Sequence, residues 1–205
     1  MLDLRKGRYV ARTVQDARDL EVALALRARA FRNGADDRDA FDAICRHVLV
    51  EDVRRGRAVC TFRLLPLSDG AEIARSYSAQ HYDLAALERF PGPMVELGRF
   101  CIAPDEAATS DVLRVAWGAM TAYVDAEGVQ MLFGCSSFHG TDAARYLDAF
   151  ALLRDRHLAP PRWLPRVKGR DVVRFARDRA APERPDPRRA LRSEEHTSEL
   201  QSLLI

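Results

Sequence analysis

Apolar and polar residues alternate through "GRYVARTV" (7–14) with the period of two of a half-buried strand. The chain then changes to helical spacing in "VQDARDLEVALALRARAF", where Leu20, Val22, Ala23, Leu26 and Ala30 mark the expected buried face. "NGADDRDAFD" (33–42) is turn-rich and acidic. After it, "CRHVLVED" and "GRAVCTFRLLPL" predict two strands joined by a charged turn around Arg54–Gly56. "AEIARSYS" (71–78) reads as a third short strand, "LAALERF" as a helical turn, and "MVELGRFCI" (94–102) as a longer strand stopped before Pro104. Thr109, Ser110 and Asp111 offer capping chemistry to the helix "DVLRVAWGAMTAYVDAE", which Gly128 can end. Leu113, Trp117, Met120 and Tyr123 recur there at helical spacing, as core residues do. A strand, "QMLFGCSSF", and a helix, "DAARYLDAFALLRDRH", follow. "APPRWLPRVKGR" is too proline-rich for the interior of either element, and "RAAPERPDPRRA" has the composition of a linker. The predicted order is βα, a mostly antiparallel set of strands, then βαβα.

Composition narrows this little. The 205 residues suit one domain, and a net charge of +2 argues against a nucleic-acid binder, which needs a clustered basic face. Only Lys6 and Lys168 are lysine, so arginine abundance is background rather than a signal of phosphate chemistry. Cys45, Cys60, Cys101 and Cys135 are too scattered for a disulfide framework or a zinc site, which predicts a reducing cytoplasm and no metal. "MLDLRKGRYVARTV" lacks the apolar core of a signal peptide, and no run approaches the roughly 18 apolar residues of a spanning helix, so any membrane role is peripheral, at the inner-membrane surface. The stretch Arg192–Ser202, "RSEEHTSELQS", resembles the translation of one frame of a sequencing-library adapter. That predicts a gene interrupted near Leu191 and a non-native tail over 192–205.

The chemistry concentrates in "VELGRF". Strict alternation sends Glu96, Gly98 and Phe100 to one face, and Val95, Leu97 and Arg99 to the other. A bulge at Gly98 would bring Glu96 and Arg99 together and free a backbone N–H. Such a pair suits acyl transfer to an amine, with a carboxylate taking the ammonium proton and the N–H stabilising the oxyanion. A purely structural ion pair is the alternative.

"RARAF" (Arg27 to Phe31), "DAFD" (Asp39 to Asp42), "FRLLP" (Phe62 to Pro66) and "VELGRF" resemble, in order and spacing, the motifs of the autoinducer synthases, a branch of the GNAT-type acyltransferases. "DAFDAICRHVLV", "LGRFCIAP", "FGCSSFHGTD" and "RHLAP" are closer still to the ornithine Nα-acyltransferases of ornithine-lipid synthesis, and the likeness covers roughly Arg8 to Lys168. Where the synthases carry a tryptophan a few residues past the position of Phe31, in their S-adenosylmethionine region, this chain reads "RNGADD".

The resemblance implies a single α/β domain of GNAT-like fold over 1–170, its mostly antiparallel sheet splayed where acyl-pantetheine enters, followed by a linker over 171–191. It implies transfer of a 3-hydroxyacyl group from phosphopantetheinylated acyl carrier protein to the α-amino group of L-ornithine, with no metal or redox cofactor. An acyl-homoserine-lactone synthase and a non-catalytic carrier-binding fragment are the alternatives. Glu96 is the implied base or amine-orienting group, and Arg99 holds Glu96 or the donor carbonyl. Arg27, Phe31, Asp39, Asp42, Arg63 and Gly98 complete the implied substrate site. For Asp39, Asp42 and Arg63 a charge network that orders a loop is the first reading and direct substrate contact the second. "APDEAATSD" lacks the glycines that hold a pyrophosphate, consistent with a carrier-protein donor. Arg154, Arg156, Arg162, Arg166 and Lys168 are candidate carrier-docking groups, and equally a solvated face or a contact with anionic lipid. Ser136, Ser137, His139 and Asp142 lie too close in sequence for a nucleophilic triad.

Overall fold

Strand β1 (Asp3–Lys6) and strand β2 (Tyr9–Thr13) form a hairpin through Gly7, whose φ of 61° takes the left-handed conformation that glycine adopts without a Cβ clash. Helix α1 (Ala17–Phe31) is capped by Asp16, whose side chain accepts from the Asp19 amide. Next come β3 (Arg46–Asp52) and β4 (Arg57–Leu67), the short helix α2 (Ser78–His81), β5 (Tyr82–Asp83), β6 (Met94–Ile102), α3 (Thr109–Glu127), β7 (Met131–Gly134), α4 (Leu147–Arg156) and β8 (Arg166–Val167). This computed structural model describes residues 2–106, 109–135, 138 and 142–169.

The main sheet runs β1-β2-β3-β4-β6-β7, antiparallel throughout except for the parallel β6–β7 pair. β3 and β4 are almost wholly buried because both faces are covered. On one face Val48, Val50, Phe62, Leu64 and Val95 meet Val112, Val115, Ala116, Ala119 and Met120 of α3. On the other, Leu49, Cys101 and Ala103 meet Ala23 and Leu26 of α1. Each fully buried leucine contributes roughly 1.5–3 kcal/mol.

Several expectations change. Val22 is 44% exposed, and the fourth buried position on α1 is Arg27, a charge held by partners that lie outside the helix. "AEIARSYS" is not a strand: Asp69 caps a 3-10 helix over Gly70–Arg75, and α2 begins at Ser78. Within that 3-10 helix Ile73 is the single apolar side chain that is buried, so no strand face exists to be satisfied. The proline-rich "APPRWLPRVKGR" contributes a turn of 3-10 helix and β8, whose two residues pair with β5. The expected linker and the tail lie outside the described residues, as do Ser136, Ser137 and His139, whereas Asp142 caps a 3-10 turn by accepting from the Ala144 amide. Among the described residues no helix is long and apolar enough to cross a membrane.

Candidate active site

The site is built on a defect in β6. Thr61 faces Cys101 and Arg63 faces Gly98, so Phe62 alone opposes two residues, Arg99 and Phe100. The bulge is therefore centred on Arg99 rather than Gly98. Arg99 has a φ of 52°, a left-handed conformation that costs a non-glycine residue on the order of 1 kcal/mol. Its effect is to exchange faces: Phe100 stacks on Phe62 at 5.6 Å in the α3 core, while Arg99 swings to the α1 side, where Glu96 also points.

Glu96 and Arg99 thus share a cleft, but the structure gives them different partners. Arg99 Nε donates to Asp37 Oδ2 at 3.0 Å and Nη2 to Asp39 Oδ2 at 3.2 Å, with the guanidinium 5.3 Å from the Tyr77 ring and 5.9 Å from the Phe31 ring. Arg27 donates from Nε to Asp37 Oδ2 at 2.9 Å and from Nη1 to Asp42 Oδ1 at 2.5 Å. Arg63 donates to Asp39 Oδ1 at 2.6 Å and to Asp42 Oδ1 at 2.7 Å. Three guanidiniums meet three carboxylates here, and a fourth, the exposed Arg32, reaches in from outside with its Nε 3.4 Å from Asp37 Oδ1. A capping box at 39–42 presents the acids: the Asp39 amide donates to Asp42 Oδ2 at 3.0 Å, and Asp39 Oδ1 accepts from the Phe41 amide. Burial pushes the Asp42 carboxyl up, but hydrogen bonds from Arg27, the Asp39 amide and Arg63 outweigh it and hold the group at about 2. Asp39 is lowered and Arg63 raised: burial opposes both shifts, and their mutual hydrogen bonds prevail.

Glu96 stands apart from this network. It is buried, and its acceptors are filled by neutral donors: the Ser78 amide at 2.7 Å and Ser78 Oγ at 2.5 Å on Oε1, and the Tyr77 amide at 2.8 Å on Oε2. A carboxylate offers about four acceptor positions, so Oε2 keeps one for a ligand. Beside Glu96, Gly98 and Arg99, the cleft is lined by Cys45, Tyr77 and Cys135. Burial raises both thiols to about 11, so they are neutral at neutral pH and poor nucleophiles. The cleft lies where the sheet opens: β6 and β7 pair from Met94↔Met131 to Leu97↔Gly134, and β6 runs on to Ile102 with β4 as its strand neighbour among the described residues. At the parting point a Cβ on Gly134 would lie 2.4 Å from the Leu97 carbonyl oxygen, so only glycine fits.

The residues expected from the sequence as a substrate site, Arg27, Phe31, Asp39, Asp42, Arg63, Glu96, Gly98 and Arg99, are brought together in this region. Asp37, Tyr77 and Ser78 join them without having been anticipated. Asp37 repeats the acidic spacing of Asp39 and was legible in "DDRD", whereas nothing in "AEIARSYS" marks a collar for a glutamate. The five expected docking residues are more dispersed. Arg154 pairs with Asp155, Arg162 lies over Trp163, Lys168 donates to the Ala79 carbonyl at 2.7 Å, and Arg156 and Arg166 are exposed.

Residues 23–117 match the model of the acetyltransferase (GNAT) domain family. The L-ornithine N(alpha)-acyltransferase of Rhodobacter capsulatus is 34% identical over 177 residues, which cover 78% of this chain and 68% of that protein. The chain belongs to the L-ornithine Nα-acyltransferase family. The enzyme of that name from Agrobacterium fabrum is 30% identical over 78% of this chain and 60% of its own length, so the chain spans about two thirds of these relatives or less. The crystal structure of the AHL synthase LasI is 18% identical, covers 63% of this chain and 72% of its own, and superposes with a TM-score of 0.48. The mostly antiparallel α/β sheet with flanking helices is the GNAT-like fold expected from the sequence.

Proposed function

We propose that this chain transfers a 3-hydroxyacyl group from acyl carrier protein to the α-amino group of L-ornithine, giving lyso-ornithine lipid. The observation that carries the reading is Glu96. It is a buried carboxylate with neutral donors as its partners and one acceptor position left on Oε2, beside a network in which arginines and aspartates pair with one another. Among the described residues no guanidinium pairs with Glu96, so its negative charge is left to meet one of the two ammonium groups of ornithine.

The thioester lies along β6 beyond Leu97, where that strand has lost β7 as a neighbour. Glu96 Oε2 orients the ammonium and takes its proton, directly or through a water. The free amine attacks the carbonyl carbon, and a backbone N–H of the bulge stabilises the oxyanion. That attack forms the C–N bond; collapse of the tetrahedral intermediate breaks the C–S bond and releases the pantetheine thiolate, which takes up the second proton that the nitrogen loses. Arg99 holds the acceptor carboxylate or the donor carbonyl end. The neutral state of Cys45 and Cys135 supports direct transfer over an acyl-cysteine intermediate.

Mass spectrometry of products tests this, after incubation with 3-hydroxyacyl carrier protein, ornithine and S-adenosylmethionine. Acyl-ornithine is expected. Homoserine lactone, or carrier binding without any product, would overturn the reading.

A further inference from the structure

We infer that the acidic carrier protein docks on the sheet end formed by the β1–β2 and β3–β4 turns, and not on the Arg162–Lys168 segment; this rests on the acyl-carrier donor proposed above. The direction of the cleft carries the inference. The pairing of β6 with β7 ends at Leu97 and Gly134, and the stretch Gly98–Ile102, with β4 as its neighbour on the other edge, leads to the end of β6. At about 3.3 Å per residue its five residues span roughly 16 Å. A phosphopantetheine arm has about thirteen bonds from phosphorus to sulfur, and at the advance of an extended backbone it covers roughly 14 Å. With its sulfur beside Leu97, its phosphate and the carrier attached to it emerge at that end of the sheet.

Basic side chains gather there. The two turns are joined by a hydrogen bond from the Val53 amide to the Arg8 carbonyl at 2.9 Å. Asp52 and Glu106, both buried, hold Arg8, Arg55 and Arg57: Arg8 Nε lies 3.3 Å from Asp52, and Arg55 and Arg57 lie 3.3 and 3.2 Å from Glu106. Arg57 also pairs with Asp105. Those arginines tie the loop after β6 to both turns. Arg5, Lys6 and Arg54 are exposed, and among the described residues their side chains have no hydrogen-bond or ion-pair partner. Around the two turns and this loop, basic residues outnumber carboxylates two to one, in a chain whose net charge is only +2. Val53, 44% exposed between them, offers an apolar contact. The rival Arg162–Lys168 segment sits elsewhere: Trp163 packs on Phe90, just before β6 begins, and β8 pairs with β5. A carrier there would have to send its arm in from the closed end of the strand pair.

The test compares the triple variant Arg5→Glu/Lys6→Glu/Arg54→Glu with the double variant Arg162→Glu/Arg166→Glu in the full chain. Binding of labelled 3-hydroxyacyl carrier protein is measured directly by fluorescence anisotropy at several salt concentrations. Turnover is measured separately with a carrier-free 3-hydroxyacyl-pantetheine donor. The triple variant is expected to weaken carrier binding about tenfold or more at low salt, with a shallower salt dependence, while the double variant and carrier-free turnover stay at the native level. Equal carrier binding in the native chain and the triple variant, a larger loss in the double variant, or no carrier binding by the native chain would overturn the inference. So would an effect confined to sedimentation with phosphatidylglycerol vesicles, which would make this end a lipid surface. Carrier binding that follows the expected pattern without acyl-ornithine from either donor would instead remove the proposed reaction and keep the docking surface.

Discussion

Replacing Asp42 by asparagine tests whether the arginine–aspartate network holds the site together. Asp42 Oδ1 accepts from Arg27 and Arg63, and Oδ2 from the Asp39 amide. Whichever way an asparagine amide turns, its NH2 group faces one of these donors. The side chain is 10% exposed, so little solvent screening intervenes. Its carboxyl sits at about 2 against an ordinary 3.8. The difference corresponds to about 2.4 kcal/mol of stability, present above the unfolded value and lost as pH falls toward 2. By pH 3 about 1 kcal/mol of it should be gone. The variant should therefore be less stable than the native chain by about 2–4 kcal/mol at pH 7, with the gap narrowing by about 1 kcal/mol between pH 6 and pH 3. Urea denaturation followed by circular dichroism across that range measures both quantities. A gap that stays constant with pH, or one below about 0.5 kcal/mol at pH 7, would refute the network's role.

Glu96→Gln keeps the shape but cannot take a proton, so kcat should fall about 10²–10⁴-fold while carrier affinity is held; unchanged turnover in the steady-state assay would remove Glu96 as base or orienting group. Ser78→Ala removes one of three donors to Glu96 and should lower kcat roughly tenfold with little change in melting temperature, and a melting shift without a rate change would leave Ser78 a structural role alone. Gly134→Ala forces a Cβ against the Leu97 carbonyl and should cost about 1–3 kcal/mol in thermal unfolding, whereas a native-like melting curve would show that the strands separate elsewhere.

The sheet was largely legible because its central strands are short apolar runs bounded by charged or proline-marked turns. β6 was anticipated from Met94 to Ile102, and the β3–β4 hairpin from its charged turn. What escaped depends on tertiary partners. Arg27 reads as the polar side of an amphipathic helix until Asp37 and Asp42, from a separate loop, take it into the core. A positive φ at Arg99 cannot be read beside a glycine that suits the same bend, and the structure spends it on the charged residue. Tyr77 and Ser78 serve mainly through backbone amides, which side-chain identities do not encode. Glu96 and Arg99 share the cleft without pairing for a related reason: Asp37 and Asp39 offer Arg99 carboxylates that lie outside its own strand.

The bulge also says what kind of lesion this protein resists least. Phe100 belongs to the α3 core and Arg99 to the cleft only because two residues of β6 stand against one of β4. A substitution in that stretch removes one contact. Losing either codon between Gly98 and Cys101 would restore a regular ladder and relieve the strained φ, but the one residue then left against Phe62 could no longer supply both the α3 core and the cleft. The chain length between Glu96 and Cys101 is thus itself inherited information, and a comparison of relatives that scores identities while tolerating one-residue gaps would overlook it.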